Sequence, residues 1–317
     1  MNIFCLLFNS IILLGGKRRG RINLRIGWKY DNELERGERN MFFLALISSF
    51  LNAVNALYAK KITMQMKDNN SFIVTSFLVV TILLGCVMPW YYSFTVTPAT
   101  IGLLIIVIIL DALSNVSFFL ALGRIEVSQL AVYTALTPLF TFIPNSILHG
   151  FDIHILIPVL LIVLGVYFLN VRGRNMLSPL VEIKKTGNLL GVAAAVSAGL
   201  SMVPTQQLLV HQWINAPTLY FFRASGIALI IYLIHRPKIW YPKLNMHLSI
   251  RGVLAITQWI ALFAALKIAN GTLVVALAYT SPIFALFLAR IYYKEKITAA
   301  KLIACCITIL GILFILE

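Results

Sequence analysis

The chain of 317 residues is 60% hydrophobic and only 12% charged, with a mean hydropathy of +0.90. Soluble domains are nearer half apolar and a quarter charged, so a water-soluble globule is excluded, as are disorder, collagen and coiled coil. The net charge of +15 suggests nucleic acid only until it is set against the basic cytoplasmic loops of membrane proteins.

Residues 1–40 carry eight basic side chains: Lys17, Arg18, Arg19, Arg21, Arg25, Lys29, Arg36 and Arg39. Residues 3–14 form an apolar stretch of signal-peptide length, but the charges follow it instead of preceding it. Two readings stand. The segment is either a real extension, as a cytoplasmic tail or interfacial segment, or the product of a start assigned upstream of Met41. Arg36-Gly37-Glu38-Arg39 can be encoded by a purine-rich run resembling a bacterial ribosome-binding site, which favours Met41.

Residues 41–317 then divide into ten apolar segments: 41–59, 71–91, 101–122, 127–148, 153–171, 188–210, 217–234, 249–266, 271–292 and 298–316. Each is near the length that spans about 30 Å of hydrocarbon. The breaks carry turn or charge signals, such as Lys67-Asp68-Asn69-Asn70 and Arg236-Pro237-Lys238. The runs lack period-two alternation, so the predicted fold is an all-α integral membrane bundle of ten transmembrane helices. Alternate loops hold sixteen Lys and Arg; the others hold only Lys267. This asymmetry places the basic loops in the cytoplasm and leaves nucleic-acid binding unnecessary.

The chain repeats itself at an offset of 144 to 146 residues. Phe119-Leu120-Ala121-Leu122 matches Phe263-Ala264-Ala265-Leu266, Pro138-Leu139-Phe140 matches Pro282-Ile283-Phe284, and Val163-Leu164-Gly165-Val166 matches Ile309-Leu310-Gly311-Ile312. Ala45, Ser49 and Ala53 form a small-residue stripe mirrored by Gly191, Ala195 and Gly199. Five helices per repeat is an odd number, so the second copy enters from the opposite side. Such inverted repeats are a transporter architecture with a midplane site between halves. The expected organisation is one repeat over 41–172, a cytoplasmic linker over 173–187 and a second repeat over 188–317.

These matching residues, with Val127-Ser128-Gln129-Leu130, Thr137-Pro138 and Tyr279-Thr280-Ser281-Pro282, resemble the EamA-type family of the drug/metabolite transporter superfamily. The resemblance covers about 41–317. It implies a cofactor-free secondary transporter of a small organic solute (an amino acid, metabolite or drug), most often an exporter, in the bacterial inner membrane. Glu295 has no clear partner in the first half, where Asp152 is the nearest acid; it precedes Thr298, a candidate N-cap, and reads as a loop anchor.

Asp111 sits about 15 Å from either end of the third segment at 1.5 Å per residue. A charge there costs roughly 2.5–3.5 kcal/mol on insertion scales and by default marks function. Arg223 is the other intramembrane charge; it either snorkels to headgroups, pairs with Asp111, or holds a substrate carboxylate through its planar fork. Pro138, Pro282 and Pro204 are candidate helix breaks that free backbone carbonyls at a cavity, or else packing kinks. Trp259, Tyr279, Tyr133, Asn52 and Gln258 are candidate lining residues, with interhelical hydrogen bonding as the plainer role for each. His149, His154 and His211 fall near external loops without metal spacing, and Cys5, Cys86, Cys305 and Cys306 sit in apolar runs without redox spacing. The chain offers no nucleophile–base set or paired carboxylates, so no enzyme and no metal is expected. Expected partners are a small-molecule substrate and the lipid bilayer, in a monomer or homodimer. Uptake or exchange is the alternative direction; a channel or membrane scaffold is the alternative class.

Overall fold

The computed structural model describes residues 27–66, 68–125, 130, 133–170, 186–239, 245–293 and 299–316. Its elements are α1 (Gly27–Met66), α2 (Asn69–Gly85), the single turn α3 (Met88–Tyr91), α4 (Pro98–Leu122), α5 (Thr137–His149) and α6 (Ile153–Asn170). They continue as α7 (Thr186–Val210), α8 (Ala216–His235), α9 (Asn245–Ile268), α10 (Gly271–Ala278), α11 (Ser281–Tyr293) and α12 (Ala299–Leu316). No strand occurs among the described residues. Among the described residues, five helical stretches are long and apolar enough to cross a membrane: Pro98–Leu122, Thr186–Val210, Ala216–His235, Met246–Ile268 and Gly271–Leu288. Shorter apolar stretches lie at Asn40–Ala56, Asn70–Gly85, Ile153–Phe168 and Leu302–Phe314. This is a multi-pass membrane protein.

Its surface has the composition that lipid requires. On α4, Ile105, Ile109 and Leu113 are exposed at four-residue spacing, while Leu104, Val107 and Asp111 on the other side are buried. An aliphatic face at i, i+4 and i+8 turned outward, with the one acid turned inward, is the reverse of a soluble helix.

Caps fix where the chain turns. The Asp68 carboxylate accepts the Asn70 and Ser71 amide protons at the start of α2. Thr97 and Thr100 form a reciprocal capping box ahead of Pro98, Asn215 accepts the Thr218 amide of α8, and Asn270 accepts that of Thr272 in α10. Each satisfies a donor that the first turn leaves without an intrahelical acceptor.

Some helices depart from the sequence reading. α1 starts at Gly27, so the helix continues on the N-terminal side of Met41. The second segment ends as a helix at Gly85, and Met88–Tyr91 forms a separate turn with Pro89 in it. The ninth segment is two helices, α10 and α11, parted at Tyr279-Thr280. The Lys/Arg loops at 171–185 and Lys294, Glu295 and Lys296 lie outside the described residues.

Packing follows a regular scheme. α4 packs on α7 and α9 on α1; α2 packs on α8 and α9, and α8 on α4; α5 meets α7 and α10; α11 meets α1; α6 packs along α12. In that last pair Gly165 and Gly311 face the partner helix. A Cβ on Gly165 would lie 2.7 Å from the Thr308 amide nitrogen, and one on Gly311 2.9 Å from Leu161 Cβ. The two glycines that align in the repeat thus bring α6 and α12 into backbone contact.

Candidate substrate site

Asp111 and Arg223 meet inside the bundle. α4 and α8 are packed together, and Arg223 Nε donates to Asp111 Oδ2. Asp111 is 4% and Arg223 2% exposed. Of the three roles open to Arg223, pairing is the one observed, and snorkelling is excluded by its burial. Asn115, one turn beyond, donates from Nδ2 to the Asp111 carbonyl at 2.8 Å, which ties the acid's own turn.

Aromatic rings close over the guanidinium. Arg223 Cζ lies 4.5 Å from the Trp259 ring centroid and 4.8 Å from that of Phe263. Trp259 and Phe263 are four apart on α9 and so share a face. Tyr220, three residues before Arg223, stacks on Trp259 at 5.9 Å and meets Phe263 edge-on at 6.2 Å. A cation over ring faces is worth about 2 kcal/mol when desolvated, so the cage offsets part of what burying Arg223 costs. Arg223 Nη1 is buried with no hydrogen-bond partner among the described residues. One edge of the guanidinium is therefore committed to Asp111 and the other has a free donor.

Two helix interruptions flank this cluster. α5 begins at Thr137 with Pro138 in its first turn, after a turn at Ala135-Leu136. α11 begins at Ser281 with Pro282 next, after the turn at Tyr279-Thr280. Both prolines thus start a helix instead of bending one, the position where a missing N–H costs nothing. Pro204 differs: α7 runs through it without a break. Tyr279 joins the two interruptions, reaching the Thr137 side chain while lying close enough to feel the charges of Asp111 and Arg223.

The remaining candidates lie elsewhere in the packing. Asn52 Nδ2 donates to Ser281 Oγ at 3.1 Å, and Gln258 Oε1 accepts from Asn55 Nδ2 at 3.1 Å. Ser49 and Thr280 share a hydrogen bond at 3.0 Å, and Tyr58 pairs with His247 Nδ1 at 2.6 Å. Positions 49, 52, 55 and 58 step by three, so the polar stripe of α1 winds back about 60° per step and passes from α11 to α9. Tyr133 is buried against Gly191 of α7. These contacts join one helix to another. His149, His154 and His211 are exposed, and among the cysteines Cys305 is buried while Cys86 and Cys306 are exposed. Phe263 is the member of this cluster missed from sequence. Its signal was the four-residue spacing from Trp259, which an aromatic-rich helix hides.

At the end of the bundle where α5 and α10 meet, Asn145 Nδ2 donates to Asn270 Oδ1 at 3.1 Å and Thr272 Oγ1 at 3.0 Å. This clasp holds the first turn of α10 against the body of α5.

Comparison with known proteins bears on the fold and the second half. Residues 185–317 match the family model described as "EamA-like transporter family". A solved structure titled only "Crystal structure of protein" superposes with a TM-score of 0.64 at 13% identity, covering 86% of this chain and 94% of its own. At that identity the likeness shows a shared fold alone. No curated protein matches the chain.

Proposed function

Because residues 185–317 match the EamA-like transporter family model, we propose that the whole chain is a secondary transporter whose solute binds at the Asp111–Arg223 pair. The observation that carries this reading is the pair itself. Two charges are held in the interior of a membrane bundle, under an aromatic cage, beside two interrupted helices. Intramembrane charge with broken helices at membrane depth is how transporters build solute sites. A membrane transporter of this type needs no catalytic chemistry of its own.

The packing scheme supports a ten-helix bundle of two inverted five-helix units. Exchange α1 with α7, α2 with α8, α4 with α9, α5 with the α10–α11 pair, and α6 with α12. The contact of α4 with α7 then becomes that of α9 with α1, and α8 with α4 becomes α2 with α9. The α2–α8, α5–α10 and α6–α12 contacts map onto themselves. Rocking of one unit on the other exposes the pair alternately to each side, with the hinges at Thr137 and Tyr279. The basic loops face the cytoplasm of the bacterial inner membrane, and the direction is export.

Counterflow tests the reading. Proteoliposomes preloaded with unlabelled metabolite pools should transiently concentrate the matching labelled solute, saturably and with competition. Flux that is linear in concentration and never concentrates the label would mark a channel, and no flux a scaffold.

A further inference from the structure

We infer that the solute is a monocarboxylate, bound to the free edge of Arg223 while a proton is taken up on Asp111; this rests on the transport reading and names its substrate class and coupling. The first observation is geometric. Nε of Arg223 is engaged by Asp111, and Nη1 is buried without a partner among the described residues. A guanidinium has five donors in a plane and is matched by the two oxygens of a carboxylate. The apolar rings of Trp259 and Phe263 already cover its faces, leaving the in-plane edge as the way in.

The second observation is electrical. α4 has Asp111 as its one titratable side chain, and α2 and α7, both packed on it, have none. From α8 the groups facing Asp111 are Arg223 and Tyr220, and Tyr279 reaches it from the second interruption. Arg251 of α9 is a further cation among the described residues, lying over the Phe72 ring and acting on Tyr220; it is present in the empty and the loaded site alike and so does not enter the change on binding. The pair alone is therefore neutral, one carboxylate against one guanidinium. A second carboxylate arriving at Arg223 leaves a net negative charge in a low-dielectric interior, which is costly. A proton arriving with it restores neutrality. The balanced step takes the solute carboxylate and one proton from solution. It gives a neutral Asp111 carboxyl and a carboxylate–guanidinium pair, with no other bond made or broken. The anion and proton that cross together carry no net charge, so movement follows the pH and solute gradients and ignores the membrane potential.

The test is binding with proton counting. Purified full-length protein in weakly buffered detergent solution is mixed with acetate, lactate or benzoate, and with benzamide as the neutral isostere of benzoate. At least one anion should bind with uptake of one proton per molecule bound, and benzamide should not bind. Asp111→Asn should keep binding that anion with no proton uptake. Arg223→Lys should keep the uptake but bind roughly tenfold more weakly, because the planar fork is lost. Anion binding to the wild type without proton uptake overturns the inference, as does uptake undiminished in D111N. If none of the three anions binds while another solute gives counterflow, this inference falls and the transport reading stands. If anions bind with proton uptake but no solute gives counterflow, the transport reading falls and the site assignment stands.

Discussion

Asp111 of α4 and Arg223 of α8, 112 positions apart, form a hydrogen-bonded ion pair almost sealed from solvent. Each charge is costly there without the other. Replacing Arg223 or Asp111 by leucine leaves its partner charged and buried, at a cost of about 3–5 kcal/mol. The double variant removes both charges and should lose less than the sum of the singles, by roughly 1–3 kcal/mol. Thermal unfolding of the four detergent-solubilised proteins measures this cycle. Asp111→Asn, which keeps an acceptor oxygen for Nε, should cost less than Asp111→Leu.

The cage over Arg223 makes a separable contribution. Trp259→Leu removes the ring face 4.5 Å from Cζ and should destabilise by about 2 kcal/mol, packing aside. Trp259→Phe keeps a weaker face and should fall between. In an Arg223→Gln background the two substitutions should differ less, because no cation is left to discriminate the rings. Equal losses in both backgrounds would reduce the cage to ordinary packing.

Gly199 of α7 lies against the start of α5. A Cβ there would sit 2.8 Å from the Thr137 carbonyl oxygen and 2.6 Å from Phe140 Cβ, and backbone cannot swing aside as a side-chain tip can. Gly199→Ala should cost about 1–3 kcal/mol and slow any motion hinged at Thr137. Gly102 of α4 is the control, with nothing within 4 Å of its Cβ position. Gly102→Ala should be neutral or stabilising by about 1 kcal/mol through helix propensity. Melting temperatures of the two alanine variants decide it.

At the start of α2, partial burial pushes the Asp68 carboxyl up, but hydrogen bonds from the Ser71 hydroxyl and from the Asn70 and Ser71 amides, with the nearby His235 charge, outweigh it. The carboxyl is held below its ordinary 3.8. A lowered folded value means the cap stabilises the protein above the ordinary value. That stabilisation is lost as pH falls through the folded one. Asp68 is largely exposed, so the effect is small. Asp68→Asn should keep the cap and flatten this part of the acid limb of a stability–pH curve, read by thermal melts below pH 5.

Much of the helix order was legible in the sequence because lipid demands long apolar runs and turns demand charge or proline. The segment expected at 188–210 is α7 at Thr186–Val210, and 217–234 is α8 at Ala216–His235. Asp111 and Arg223 were legible as site candidates because a charge at membrane depth has no plain role facing lipid. Their contact was one of three roles left open for Arg223, since no local rule relates residues on α4 and α8. The break in the ninth segment was legible at Pro282, but its place at Tyr279-Thr280, ahead of the proline, was hidden because apolar residues continue on both sides of it. Asn52 and Gln258 read alike as lining or glue from sequence, and their partners Ser281 and Asn55 lie too far along the chain to be read there.

The central claim, that solute and proton are handled at Asp111 beside Arg223, is tested most directly by comparing two fluxes in Asp111→Asn proteoliposomes. One is accumulation driven by a pH gradient; the other is exchange of labelled for unlabelled solute without a gradient. The account predicts that accumulation is lost while exchange persists, because the loaded variant is still neutral but the unloaded one carries an uncompensated Arg223. Wild-type accumulation in this variant, with exchange equally intact, would contradict it and leave the pair as a structural brace between α4 and α8.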